Sequence, residues 1–316
     1  MRQLPLPKTR ARKENVMRIS ADFRLVICIG ALLFAAKSIA LEGGTSSYPL
    51  GIVTVMSGAI GAPGETHAYT YNKTVAVDSI RDGQGNKVFP KAKGRVHAHA
   101  VRLVHTLDGP TVLGGNVSLQ VAVPYVDGHL DIPALGPLGR DSSKGMGDPL
   151  FGALISWQSP TYLHNVELDF VAPWGKYDEH ALINPGNNSK AIYAAYAFTW
   201  FPIPQVEVSS KSSVNYSYEN PKTDYKSGVQ IVIDYGFNYR LTQNWLAGIG
   251  GYLSTQLNDD QSHGDNIGNR TKSIKVGPQI GYASRDWGII ATYQNDVYAR
   301  NTSEGDAVML NGMFKF

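Results

Sequence analysis

Residues 229–241 read VQIVIDYGFNYRL. Val229, Ile231, Ile233, Tyr235, Phe237, Tyr239 and Leu241 share one parity, against Gln230, Asp234, Asn238 and Arg240 on the other. A strand turns successive side chains to opposite faces, so this segment has one apolar and one polar face. Strands of a soluble sandwich average about 5 or 6 residues. A tilted strand crossing a bilayer needs about 9–11, and this stretch is long enough.

The same division recurs outward from it. Val166, Leu168, Phe170, Ala172 and Trp174 oppose Glu167 and Asp169; Val206, Val208, Val214, Tyr216 and Tyr218 oppose Glu207, Lys211 and Asn215; Ile274, Val276, Ile280 and Tyr282 oppose Lys275 and Gln279. Segments of this kind cover His67–Val77, Arg95–Leu107, Leu113–Val126, Asp148–Gln158, Tyr162–Gly175, Ala191–Phe201, Val206–Tyr218, Gly228–Leu241, Trp245–Leu257, Thr271–Ala283, Trp287–Ala299 and Asp306–Phe316. The second separates its faces least. Connections alternate between short, such as Asp108-Gly109-Pro110 and Thr242-Gln243-Asn244, and long, such as Lys176 to Lys190. Short turns on one side and long loops on the other are what an outer-membrane barrel has. The fold class expected is all-β: a transmembrane antiparallel β-barrel of about twelve strands, range about 10–14, over residues 67–316.

Both chain ends fit that expectation. Residues 25–36 read LVICIGALLFAA, an apolar run too short for a membrane helix, with Arg18 and Arg24 before it and Ser38-Ile39-Ala40 after it. Residues 1–40 are thus expected to be a cleaved signal peptide, with Met17 as the true start, and residues 41–66 an N-terminal periplasmic segment. The leader holds eight of the 29 Lys/Arg and two of the 26 Asp/Glu, which leaves 21 basic and 24 acidic residues in the mature chain. That balance gives no support for nucleic-acid binding, which would want a basic patch on the folded domain. The single cysteine, Cys28, goes with the leader, so neither disulfides nor thiolate metal sites are expected. At the other end Val308, Leu310, Gly312, Phe314 and Phe316 form one face of the last segment. Phe314 and Phe316 are the expected assembly signal, read by outer-membrane assembly machinery. Trp157, Trp174, Trp200, Trp245 and Trp287 fall near segment ends, where ring and headgroup zone suit each other.

The polar parity supplies the candidate lumen: Glu167, Asp169, Glu207, Lys211, Gln230, Asp234, Asn238, Arg240, Lys275 and Gln279. Twelve strands enclose more room than the eight-stranded type, whose interior side chains fill, and mixed charge leaves both an open and a plugged interior in view. Candidate chemistry is sparse. His97, His99 and His105 share a parity but lack an acidic partner, so no metal site and no cofactor are expected. His164 with Ser156 or Ser159 could act as base and nucleophile, yet nothing resembles G-x-S-x-G. Asp259, Asp260 and Asp265 lack the order of a calcium loop and read as a solvated acidic loop. Gly58, Gly61 and Gly64, like Gly248, Gly250 and Gly251, do not open a helix and read as strand kinks or close-packing points.

Several phrases carry a resemblance: YPLG at 48–51, GMGDP at 145–149, PWGKY at 173–177, NPGNN at 184–188, YENPKTDYKSG at 218–228, GIGGYLSTQLNDD at 248–260 and VGPQIGY at 276–282. They resemble the outer-membrane β-barrel family of the meta-pathway (MetA-pathway) of phenol degradation. That resemblance implies a barrel admitting hydrophobic or aromatic compounds, and it brings no catalytic residues. The expected function is a passive channel or diffusion path in a bacterial outer membrane. Its partners would be membrane lipid and lipopolysaccharide, the assembly machinery and a small-molecule solute, with no nucleic acid. A lipid-modifying barrel enzyme and a structural or surface-interaction barrel are the alternatives; the chain is read as no enzyme. N-terminal sequencing of protein extracted from membranes is expected to begin at Leu41, within a few residues. A mature chain retaining Cys28 would overturn the leader.

Overall fold

The computed structural model describes residues 49–89 and 91–316. The leader, its cleavage point and Cys28 therefore lie outside the described residues. Twelve antiparallel staves form the wall: β1 Thr66–Val77, β2 Lys93–Val112, β3 Gly115–Asp131, β4 Leu150–Gln158, β5 Tyr162–Val171, β6 Ala191–Ile203, β7 Val206–Ser217, β8 Gln230–Arg240, β9 Trp245–Gln256, β10 Lys272–Ala283, β11 Trp287–Arg300 and β12 Ala307–Lys315. Each pairs with the next in sequence, and β12 pairs with β1 from Lys315↔His67 to Ala307↔Val75, which closes the cylinder. Closure leaves no sheet edge.

Burial runs opposite to that of a water-soluble fold. Along β8 the buried side chains include Gln230, Asp234 and Asn238, while Phe237 and Tyr239 are exposed. Leu168, Phe170, Ile249, Ile280, Val308 and Leu310 are likewise exposed, while Glu167, Asp169, Glu207, Lys211 and Lys275 are buried. An apolar exterior around a polar interior is stable only if lipid replaces water outside. Trp157, Trp200, Trp245 and Trp287 all stand at the short-turn end, and Tyr282 packs between Trp245 and Trp287 at 5.2 and 5.1 Å between ring centroids. This is the aromatic girdle of one membrane interface.

The structure corrects the expected connections in three places. β2 runs through Asp108-Gly109-Pro110 to Val112, and the chain reverses at Leu113 and Gly114, both at positive φ. β2 and β3 slip register between Thr106 and Thr111, where Pro110 has no N–H to give the ladder. The expected loop from Asp127 to Gly147 is partly a hairpin, because Arg140–Met146 pairs with the upper end of β3 before the ladder breaks at Gly147–Pro149. Trp174 lies beyond the end of β5, its ring against Phe151 at 5.6 Å. At the long-loop end two further small sheets form, Ser79–Arg81 with Lys87–Phe89 and Ser303–Glu304, and Tyr225–Lys226 with Asp260–Ser262 and Asp265–Gly268.

A fourth correction concerns residues 49–65, expected as a separate periplasmic segment. They run inside the barrel as an irregular strap, from the middle of the interior to the short-turn end, where Gly64 N donates to Thr106 O at 2.9 Å. Gly236 on β8 allows this approach, since a Cβ there would sit 1.8 Å from the Thr54 carbonyl oxygen. Ile233→Arg or Phe237→Arg, on the outer face of β8, should cost roughly 2–4 kcal/mol near the bilayer midplane. Urea titration of barrel folded into lipid vesicles measures this, and a loss below about 0.5 kcal/mol, the scale of an ordinary surface change, would remove these residues from the hydrocarbon.

Candidate functional site

Nine of the ten residues expected along the lumen are buried, and Arg240 is half-buried at the short-turn end. They divide into two tasks. The first is to hold the strap. Asp234 accepts the amides of Gly51 at 2.8 Å and Val53 at 3.1 Å, and Glu207 accepts that of Met56 at 2.8 Å. Thr54 Oγ1 donates to Gln279 Oε1 at 2.7 Å, and the side-chain amides of Gln279 and Asn238 point at the Thr54 carbonyl. Sequence reasoning missed other holders. Thr199 accepts Gly58 N at 3.0 Å, Gln294 donates to Gly51 O and Asn311 to Ile52 O, both at 3.1 Å, and Lys73 donates to Leu50 O at 2.7 Å. A carboxylate taking backbone amides makes a charge-assisted bond of about 1.5–3 kcal/mol. Arg240 ends the series, with Nη2 3.8 Å from both Glu207 Oε2 and the Met56 sulfur.

The second task is an ionic layer above the strap. Lys211 Nζ lies 2.6 Å from Glu167 Oε2, Arg102 Nη2 3.5 Å from Glu167 Oε1, and Gln120 bridges Arg102 to Asp169. Lys275 pairs with Asp296 and donates to Gly305 O, while Gln230 donates to Ser254 Oγ at 2.8 Å. Lys73, Arg102, Gln120 and Asp296 were not legible as interior residues. β1 and β2 turn Thr70, Asn72, Thr74, His97 and His99 outward, so polar residues stand on both faces and the alternation is hidden. His97, His99 and His105 bond across to Thr74, Asn72 and Thr66 at 2.9, 2.8 and 2.9 Å.

Above that layer lies a cavity of about 400 Å³ at the long-loop end. Val75, Val77, Val96, Ala98, Ala122 and Val126 belong to its wall, and Leu50, Ile52 and Val53 of the strap to its floor. Its roof comes from the loop of residues 172–190, which brings Leu182, Ile183 and Pro185 to the cavity. Three aspartates fix that loop. Asp141 accepts Leu182 N at 2.6 Å, Asp178 accepts His180 N at 2.9 Å, and Asp148 accepts Gly175 N at 2.8 Å and Asn187 N at 2.6 Å. Asp148 thus ties together GMGDP, PWGKY and NPGNN. The crossing is tight enough that a Cβ on Gly175 would stand 2.7 Å from the Gly147 carbonyl carbon. The chain of contacts continues through Asn188 to Asn220 at 2.7 Å, and from Tyr225 OH to Asp260. Asp260, expected in a solvated loop, is fully buried and also accepts Gly228 N at 2.8 Å.

The hydrolase pairing is not assembled. His164 faces outward, stacked on Trp157 at 5.1 Å, while the Ser156 side chain is buried on the inner face and the Ser159 hydroxyl closes its own turn, donating to Tyr162 O at 2.7 Å. Gly58, Gly61 and Gly64 belong to the strap rather than to a kinked strand, and Gly58 is a close-packing point, since a Cβ there would stand 2.1 Å from the Leu163 carbonyl oxygen.

Residues 77–312 match the model of the family described as "Putative MetA-pathway of phenol degradation". No curated protein matches the chain. Among solved structures, the COG4313 outer membrane channel from Pseudomonas putida F1 superposes with a TM-score of 0.70 at 15% identity, covering 83% of this chain and 98% of that one. The CymD monoaromatic hydrocarbon channel gives 0.45 at 9% identity over 84% and 97%, and the KdgM porin 0.43 at 8% over 79% and 99%.

The small sheet carrying Ser303 and Ile80 of the cavity rim has one strong ionic clamp. Arg81 donates Nε to Glu304 Oε2 at 2.9 Å and Nη2 to Oε1 at 2.7 Å, and Ser79 Oγ donates to Oε2 at 2.6 Å. The Arg81 hydrogen bonds pull the Glu304 carboxyl down to about 2. A depressed carboxyl stabilises the fold above its unfolded value, near 4.5, and that contribution is lost as pH falls through the window toward about 2. Protection factors at Ser79–Arg81 and Ser303–Glu304, each taken against the intrinsic exchange rate at the same pH, should fall on acidification through this window, and Glu304→Gln should give the low protection already at pH 7. Protection factors that are flat across the window would remove the clamp.

Proposed function

The chain belongs to the MetA-pathway of phenol degradation family, and on that premise we propose that it is a passive outer-membrane channel for small hydrophobic compounds. The observation that carries this reading is the apolar-walled cavity at the long-loop end of a closed barrel, with loops fixed around its mouth by Asp141, Asp148 and Asp178. A cavity of a few hundred cubic ångströms suits a solute about the size of one aromatic ring. Apolar walls favour a compound that a lipopolysaccharide surface would hold back. The strap beneath is the resistance that such a solute meets on the way inward. Passage needs no energy source on this account, only a concentration difference and a strap whose bonds exchange with water.

Membrane lipid contacts follow from the exposed apolar belt. Phe314 and Phe316 we read as the assembly signal: both are exposed, Phe314 on the outer face of β12 and Phe316 just past its end, where Phe316 N donates to Thr66 O at 2.9 Å at the closing seam. The enzyme alternative draws no support from His164 and Ser156, which lie on opposite faces of the wall.

Two measurements test the channel together. In planar bilayers, deleting residues 49–61 should raise salt conductance severalfold over the intact barrel. In cells with a full-length lipopolysaccharide coat, the intact protein should speed accumulation of radiolabelled toluene and not of glucose. Equal toluene accumulation with and without the protein would sink the proposal.

A further inference from the structure

The charges at the cavity floor do not cancel pairwise. Four cations line it, Lys73, Arg102, Lys211 and Lys275. Glu167 serves both Lys211 and Arg102, Asp169 sits in the same cluster through Gln120, and Asp296 serves Lys275. Two carboxylates thus face two cations in one group, and one faces one in the other. Lys73 is left over. The fourth carboxylate, Asp234, balances the charge count, but it is turned into the strap by the amides of Gly51 and Val53 and makes no ion pair with Lys73.

An ammonium has three N–H donors. Lys73 gives one to the Leu50 carbonyl at 2.7 Å and stands 5.6 Å from the Tyr252 ring centroid, a cation–π distance. Among the described residues no carboxylate lies within salt-bridge distance of it. Two donors therefore remain, at the level where the valines of β1 and β2 give way to the ionic layer.

Resting on the channel reading, we propose that this cavity binds an amphiphile with an apolar, ring-sized body and a single anionic head, and that Lys73 holds the head. The body would lie among Val75, Val77, Val96 and Ala98, and the carboxylate or equivalent anion would take the two remaining Lys73 donors as charge-assisted hydrogen bonds. A cationic head has no lone pair to offer the Lys73 ammonium and would be repelled by it. A neutral head would find only ordinary hydrogen bonds. Because the same ammonium holds Leu50 O, an anion that draws it upward also loosens the upper end of the strap, so the solute's own head weakens the obstacle beneath it.

Benzoate, benzyl alcohol and benzylamine share a ring and differ in head charge, which makes them the probes. Titration calorimetry on the intact chain in amphipol should show benzoate binding about tenfold tighter than the other two, a difference of about 1.4 kcal/mol. Lys73→Met should abolish the preference, leaving benzoate no tighter than the alcohol whatever the alcohol's own affinity becomes, whereas Lys73→Arg should keep the preference. Equal affinities for the three probes in the unaltered protein, or a preference surviving Lys73→Met, would overturn the assignment. If Lys73→Met fails to give heat-modifiable barrel, the three-probe comparison and Lys73→Arg decide alone. Failure here with toluene uptake intact removes the anion site only; loss of both removes the channel.

Discussion

In hydrocarbon every backbone N–H and C=O has to be paired within the protein, at a cost of several kcal/mol for each one left over. Strands can meet that demand only by closing on themselves, and the pairing of β12 with β1 does so. The polarity of both faces follows from closure. Outward positions meet lipid and are apolar; inward positions meet whatever fills the cylinder. In this chain they meet a second piece of backbone, the strap of residues 49–65, whose amides and carbonyls need partners as much as those of the wall. Asp234, Glu207, Gln279, Gln294 and Asn311 supply them.

The long loops obey the same demand by a different route. A loop packed over a cavity cannot leave its amides dry, and the loop of residues 172–190 has no ladder to join. Aspartate carboxylates accept those amides two at a time, Asp148 from Gly175 and Asn187, Asp141 from Leu182 and Ile183. Glycine at 147, 175 and 186 lets the backbones close up around Asp148. Three phrases separated along the chain are therefore one object, a knot that fixes the height of Leu182 and Ile183 above the cavity.

What could be read from the sequence follows from which contacts leave a period. β5, β7, β8 and β10 put charge inside and apolar groups outside, so alternation alone located them, and the interior residues Glu167, Glu207, Lys211, Asp234 and Lys275 with them. β1 and β2 hide theirs, because Asn72 pairs with His99 and Thr74 with His97 on the outer face, and Lys73 and Arg102 went unnoticed between them. The strap leaves no period at all. The barrel grips it by its main chain, and a main chain has the same amides whatever residues it carries. The cavity too was out of reach, since valines from β1 and β2 are brought together with Leu182 and Ile183 only by closure and the aspartate knot.

The strap also accounts for an apparent contradiction, a barrel with a polar interior that nonetheless presents an apolar cavity. Interior carboxylates and amides are exposed to solute only where nothing occupies them. Between Asp234 and the short-turn end the strap's backbone takes them up, and its apolar residues Leu50, Ile52 and Val53 border the space above. One irregular segment thus consumes the hydrogen-bonding capacity of the lower lumen and offers hydrocarbon at the upper surface. The side-chain bonds that the strap makes itself are few, chiefly Thr54 to Gln279. Its floor residues are therefore free to vary in shape without loosening the grip, and the character of the cavity floor is set separately from the stability of the barrel that holds it.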